Sequence, residues 1–175
     1  MNKFQIRAEI KRLKQLQTAD DFDKKSQAVC LLLSRHKKVL EARTIMSFWP
    51  MNGEIDVRSF NNTFCQTKTL VLPVLENNLI KIKHYNGNNL LRTGQYGILE
   101  PDNDLWVESS DVDLVIVPGT AFDKQNNRLG LGKAFYDKFL VNLHAYKLGI
   151  CFDFQLLESI PAEKHDIPVD EVLWS

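Results

Sequence analysis

Cysteine is scarce in this chain, and its three copies, Cys30, Cys65 and Cys151, are odd in number and far apart. No C-x-x-C pair occurs, so a disulfide framework is excluded. All three sit among apolar residues, which predicts buried, inert thiols. Net charge is lacking too, since 22 basic residues balance 22 acidic ones. A nucleic-acid binder usually carries a basic excess, so no such partner is expected. No apolar run approaches the length of a membrane span, and the opening MNKFQIRAEIKRLKQ has no apolar signal-peptide core. A cytoplasmic protein without a membrane partner is expected. No repeat, low-complexity tract or linker divides the 175 residues, which suit one domain. Monomer is the default expectation.

Although the charge balances overall, it is unevenly distributed. Lys3, Arg7, Lys11, Arg12 and Lys14 face only Glu9 in residues 3–14. After position 150, Asp153, Glu158, Glu163, Asp166, Asp170 and Glu171 face only Lys164. Two solvated faces explain this pattern, because surface charge is the rule. The same asymmetry can also assemble a site that needs both signs.

Periodicity gives the elements. Phe4, Ile6, Ile10, Leu13 and Leu16 form a helical stripe over 2–17. Thr18 and Asp21 resemble a capping box that starts a second helix reaching about Leu40, with Phe22, Val29, Leu32 and Leu33 inward. Thr44–Phe48 reads as a strand, and WPMNGE, Trp49–Glu54, as a loop marked by Pro50 and Asn52-Gly53. A helix over about 56–66 follows, then strands over 69–72 and 79–84 and an Asn- and Gly-rich loop over 86–97. The apolar run Val112–Val117 predicts a central strand covered on both faces. A helix over Gly132–Leu143, a strand over Leu148–Phe152 and a turn-rich tail with a short final strand complete the chain. Alternating strands and helices predict an α/β fold, a three-layer α/β/α domain with a largely parallel, Rossmann-like central sheet.

The chemistry concentrates after the central strand, where loop GTAFDKQNN leads into RLGLGKAFYD, Arg128–Asp137. Ligands of open α/β sheets bind beyond the carboxyl ends of strands. Gly130 and Gly132 let backbone approach a ligand closely, while Arg128 offers a bidentate fork and Lys133 a point charge. Phosphate suits such a turn at a helix start. A P-loop is excluded because Asn127 stands where its first Gly belongs, and G-x-G-x-x-G is excluded by Phe135. Read alone, the turn serves equally as a tight strand-to-helix connection. Asp137 lies about one helical turn past Lys133, placed either to hold Mg²⁺ on phosphate oxygens or to pair with Lys133. In the tail, His165–Glu171 supplies Asp166 and Asp170 as further metal carboxylates; zinc is disfavoured because no second His or Cys stands at ligand spacing. Glu54 reads as a helix N-terminal acid or as a ligand for an amino group.

These blocks resemble the 5-formyltetrahydrofolate cyclo-ligase family. The strongest is DLVIVPGTAFDKQNNRLGLGKAFYDKFL, Asp113–Leu140. Flanking matches are Lys3 and Arg7, Glu54-Ile55, Leu72-Pro73, Gly97–Pro101, Leu148–Gln155 and His165–Val172. The resemblance implies ATP- and Mg²⁺-dependent closure of 5-formyltetrahydrofolate to 5,10-methenyltetrahydrofolate, with ATP and the folate as small-molecule partners. It implies ATP contacts at Lys3, Arg7, Arg128, Leu129, Gly130, Leu131, Gly132, Lys133, Ala134, Phe135 and Tyr136. Folate contacts fall on Trp49, Glu54 and Leu131 to Phe135, metal contacts on Asp137 and Asp166, and catalytic charge on Arg128 and Lys133. Three departures stand out: Ala134 replaces the third Gly of the family turn, Phe135 replaces a frequent Tyr, and Leu131 replaces a frequent Tyr or Arg. An alanine at 134 is expected to sit inside the helix, where φ is negative.

Overall fold

Two capping boxes set the start of the chain. Asn2 with Gln5 caps α1 (Lys3–Gln15), and Thr18 with Asp21 caps α2 (Ala19–Arg35), each side chain accepting the other's backbone N–H. The second helix does not run on to Leu40 as predicted. His36 is extended (ψ 127°), and α3 (Lys37–Glu41) restarts after it. The His36 ring stands 3.1 Å from Glu171 in the final strand, a tertiary contact that fixes the break. The computed structural model describes residues 1–87, 90–163 and 165–175.

β1 (Thr44–Met46), α4 (Arg58–Phe64), β2 (Thr69–Glu76) and β3 (Leu79–Tyr85) follow, then the short pair β4 (Leu91–Thr93) and β5 (Leu99–Pro101). β6 (Trp106–Val107), β7 (Leu114–Pro118), β8 (Ala121–Asp123), β9 (Arg128–Leu129), α5 (Phe135–Leu140), β10 (Tyr146–Cys151), β11 (Leu156–Leu157) and β12 (Glu171–Trp174) complete the order. The main sheet runs β12-β10-β7-β1-β2-β3-β6, and its first five strands are mutually parallel. The fold is therefore mixed α/β around a mostly parallel sheet.

Strand β7 shows why this sheet must be covered twice. Leu114 and Ile116 pack on one face with Val29, Leu33, Val39 and Phe60 of α2, α3 and α4; Val115 and Val117 pack on the other with Leu140 of α5 and Phe122. All four are at most 1% exposed. Burying one such side chain contributes about 1.5–3 kcal/mol, so a polar residue anywhere in this run is strongly unfavourable.

The strand order reverses beside β1. The chain goes from β1 outward to β2 and β3, then returns to β7 on the other side and continues to β10 and β12. The switch point lies between the carboxyl ends of β1 and β7, where ligands of such sheets bind. The loop after β1 carries Trp49 and Glu54. The segment after β7 enters a small sheet, β11-β8-β9, and then the Arg128–Asp137 turn. Against that small sheet α1 docks, with Ile6 and Ile10 packed on Ala121, Leu129 and Ile160.

Of the cysteines, Cys151 is buried as expected, whereas Cys30 and Cys65 are only half-buried. Burial pushes the Cys30 thiol up to about 11 and that of Cys151 to about 12, which suppresses the reactive thiolate. No helix among the described residues is long and apolar enough to cross a membrane.

Candidate active site

Helix α1 aims three cations along one side while its apolar side is docked. Lys3 Nζ lies 2.6 Å from Asp166 and 3.2 Å from Glu163. One turn on, Arg7 Nε donates to the Gly130 carbonyl at 2.9 Å. Near its end, Lys14 reaches the Asn52-Gly53 turn, its Nζ 3.7 Å from where a Cβ on Gly53 would stand. A single helix thus touches the tail, the glycine turn and the loop after β1.

The turn itself is tighter than a helix start. Gly132 has φ +96°, and a Cβ there would sit 3.5 Å from the Arg7 guanidinium. A Cβ on Gly130 would approach Arg128 Nη1 to 2.9 Å. Ala134 also takes the left-handed region (φ 55°, ψ 19°) and caps α5, which spans only Phe135–Leu140. Both sequence expectations here need correction: the helix is shorter than 132–143, and Ala134 lies before it with positive φ. The physical reason is the second reversal that brings the chain from the exposed Gly132-Lys133 back onto the sheet. That reversal suits glycine, and alanine adopts it at a cost of about 1 kcal/mol.

Arg128 lies beneath the turn. Its side chain is 4% exposed, and Nη2 donates to Asp137 Oδ1 at 2.8 Å. Asp137 therefore pairs with Arg128, not with Lys133 at i, i+4. Arg128 Nε is buried with no hydrogen-bond partner in the structure, and so is the Tyr136 hydroxyl. The Arg128 guanidinium stands over the Tyr136 ring at 5.5 Å. Burial pushes the Tyr136 phenol well up, with the Glu54 charge adding to the rise and Arg128 opposing it. Leu129 faces the small core beside α1, so its side chain supports the turn from below. Leu131 is 70% exposed and Lys133 is exposed.

Lys133 Nζ lies 5.5 Å from the Tyr96 ring, and Tyr96 stands 5.9 Å from Phe135. Tyr96 belongs to the β4–β5 connection, is 60% exposed and has φ 60°. No reading of the local sequence singles it out, because the connection reads as an Asn- and Gly-rich loop. Trp49 is half-buried and meets Tyr85 edge-on at 5.9 Å, so part of its ring is spent on the core.

Glu54 is not a helix N-terminal acid, since α4 begins four residues later. Its Oε2 accepts the Met51 N–H at 2.9 Å. Burial pushes its carboxyl above the usual range, and the Met51 N–H and the Lys14 charge oppose that rise. In the tail, burial alone would raise Asp166, but hydrogen bonds from Lys3 and the Glu163 N–H hold it below the usual range.

The donor set fits a hard divalent cation shared with phosphate. Among the described residues no group of three or more His, Cys, Asp or Glu could hold a metal on its own. Magnesium held with phosphate oxygens and water needs only one or two carboxylates, and Asp137 and Asp166 supply two. Each already sits beside a cation suited to phosphate.

Other blocks singled out by the sequence turn out to be architectural. Asp123 is 1% exposed and accepts four hydrogen bonds. Gln155 donates to the Gly119 and Thr120 carbonyls and accepts the Phe152 N–H. Glu100 is buried and accepts the Leu75 N–H.

The chain is similar to known proteins along its whole length. The profile of the 5-formyltetrahydrofolate cyclo-ligase family matches residues 1–175. The chain is 28% identical to the 5-formyltetrahydrofolate cyclo-ligase of Haemophilus influenzae, over 97% of this chain and 95% of that protein. It is 29% identical to the Escherichia coli K12 enzyme of the same name, over 94% and 95%. A solved structure of Aquifex aeolicus 5,10-methenyltetrahydrofolate synthetase superposes with a TM-score of 0.91 at 30% identity, covering 99% of this chain and 90% of that one. A Mycoplasma pneumoniae structure, at 22% identity and TM-score 0.78, shares the fold.

Proposed function

The chain belongs to the 5-formyltetrahydrofolate cyclo-ligase family, and we propose that it closes 5-formyltetrahydrofolate to 5,10-methenyltetrahydrofolate using ATP and Mg²⁺. The observation that carries the reading is the convergence on one turn of Arg7, Arg128 and Lys133, with Lys3 one helical turn away and each metal carboxylate beside one of these cations. Such a set suits a polyphosphate, while Glu54 and Trp49, in the loop after β1, suit a flat heteroaromatic ring with amino groups.

In this reading the formyl oxygen attacks the γ-phosphorus, ADP leaves, and the formyl carbon carries a phosphate leaving group. N10 then attacks that carbon, loses its proton, and phosphate departs. Phosphoryl transfer of this kind depends on positioning and charge neutralisation more than on covalent chemistry by the protein. Magnesium, held by Asp137 and Asp166, would neutralise charge on the phosphate oxygens. The exposed Lys133 and the backbone N–H groups of the Gly130–Gly132 segment bind the transferring group, and Arg128 orients Asp137 from below. Glu54 accepts hydrogen bonds from the pterin edge. Phe135 and Tyr96 offer aromatic surface on the turn's outer side.

The test is a steady-state assay of methenyltetrahydrofolate absorbance from 5-formyltetrahydrofolate and Mg-ATP. Turnover that requires both substrates supports the reading. Ligand binding without turnover, or ATP consumption with no folate dependence, overturns it.

A further inference from the structure

Of the three cations that α1 aims along one side, Lys14 alone has no role in the phosphate site. Lys14 is 11 residues beyond Lys3 on the same side of the helix, but it points to the loop after β1. Its stem packs on the Asn52-Gly53 turn, with Cδ 3.4 Å from where a Gly53 Cβ would stand. Among the described residues it has no salt-bridge partner within 4.0 Å and donates no hydrogen bond to a protein group. Lysine stems normally deliver the ammonium to water. Here burial pulls the ammonium below its ordinary pKa, and the nearby Glu54 charge only partly opposes this. A half-buried cation with no hydrogen-bond acceptor is costly unless something else supplies the acceptor.

Glu54 faces the same space. It spends Oε2 on the Met51 N–H, leaving Oε1 available. From α5, the Tyr136 hydroxyl is buried without a partner and responds to the Glu54 charge, with Arg128 behind it. The titratable groups around Glu54 are thus Lys14 from α1 and Tyr136 from α5, with Arg128 supporting the latter. The surroundings of Glu54 offer an anion, an ammonium donor and an unpaired phenol in a partly dehydrated setting.

We infer that Lys14 is a specificity-determining residue, which together with Glu54 recognises the cyclic amide–guanidine edge of the folate pterin. That edge presents an amino group and a ring N–H beside a carbonyl oxygen. Glu54 accepts from the two donors, and Lys14 donates to the carbonyl. The pair reads the two signs of the edge at once, so a ring lacking the carbonyl leaves Lys14 without an acceptor. This inference rests on the folate reading above.

Lys14→Met keeps the stem over Gly53 and removes the charge, and Lys14→Arg keeps the charge. The measurements are the dissociation constant of 5-formyltetrahydrofolate by calorimetry without ATP, the KM values for folate and ATP, and Tm. Lys14→Met is expected to weaken folate binding and raise the folate KM by about 10- to 100-fold, the range for a lost hydrogen bond from a charged group. ATP KM should stay within about twofold and Tm should not fall. Lys14→Arg should recover much of the loss. Because Glu54 must be ionised to accept both donors, folate binding falls on the acid side as Glu54 protonates. Removing the Lys14 charge raises that pKa further, so the acid limb in Lys14→Met should move to higher pH. Wild-type folate affinity in Lys14→Met overturns the inference. So does a parallel rise in ATP KM with a lowered Tm, which would assign Lys14 to seating α1. If the parent protein binds no 5-formyltetrahydrofolate, the folate reading itself fails, a separate result.

Discussion

Asp123→Asn isolates a buried carboxylate that sits in the strongest sequence block yet touches no site residue directly. Oδ1 accepts the backbone N–H groups of Gln125 at 3.0 Å and Asn127 at 2.9 Å. Oδ2 accepts Asn127 Nδ2 at 3.0 Å and the Ile160 N–H at 2.7 Å. An asparagine is nearly the same size, but it has one acceptor oxygen where the aspartate has two. If that oxygen keeps the Oδ1 pair, the new NH₂ group faces both the Ile160 N–H and Asn127 Nδ2, donor against donor; the half-buried Asn127 amide can flip to present its oxygen, whereas the Ile160 N–H has no such escape. Ile160 is 5% exposed, so water does not replace the lost acceptor. One buried unsatisfied N–H costs about 1–3 kcal/mol, and weakening two charge-assisted bonds to neutral ones costs roughly another 1–2 kcal/mol. Relief from burying a charge offsets part of this. A net loss of about 3 kcal/mol remains, which in a chain of this size lowers Tm by roughly 6–12 °C. Scanning calorimetry with urea unfolding at neutral pH measures it. A Tm within about 2 °C of the parent refutes the accounting. A fully stable but inactive Asp123→Asn would refute the architectural role itself and point to a chemical one.

Ala134→Gly should stabilise the protein by up to about 1 kcal/mol, because glycine meets no Cβ penalty at φ 55°; unfolding free energies test it, and a loss of stability would mean that the left-handed cap is wrong. Glu54→Gln should raise stability at pH 7 while weakening folate binding. The folded pKa of Glu54 is raised by burial, so its ionised form destabilises the fold above that pKa. The penalty is absent below the unfolded value, and the Tm gain of Glu54→Gln should vanish as pH falls below about 4.3. Lys133→Ala should raise the ATP KM by about tenfold or more by removing a charge over the phosphates, and Asp137→Asn should lower Mg²⁺-dependent turnover and also lower Tm, because Arg128 loses the charge of its buried partner. An unchanged ATP KM, or parent-like metal titration, would remove each residue from its role.

Local signals carried much of the architecture in the sequence. The side-chain cap of Thr18 acts within one turn, and the Val112–Val117 run must be buried on both faces, so both are legible without tertiary context. The break at His36 was not legible, because it is set by Glu171, 135 residues away. The left-handed conformation of Ala134 has no local sequence signal; only the path of the chain back to the sheet demands it. The small sheet β11-β8-β9 was invisible because its strands are two or three residues long. In the site, residue types named the charges but not their partners. The Arg128–Asp137 pair is one such contact, because nothing local to either residue marks it. The positions of Tyr96 and Lys14 are not legible, because they depend on a loop and a helix docking from elsewhere in the chain.

The seating of α1 has a mechanical consequence. A rigid rod held by one apolar stripe on Ala121, Leu129 and Ile160 carries Lys3, Arg7 and Lys14 at fixed separations. Any tilt or slip of the rod moves all three at once, one at the tail, one at the turn and one at the first loop. Substitutions at Ile6 or Ile10, which touch no ligand, should therefore disturb the nucleotide and folate ends in step, as a lever displaced at its fulcrum moves both arms.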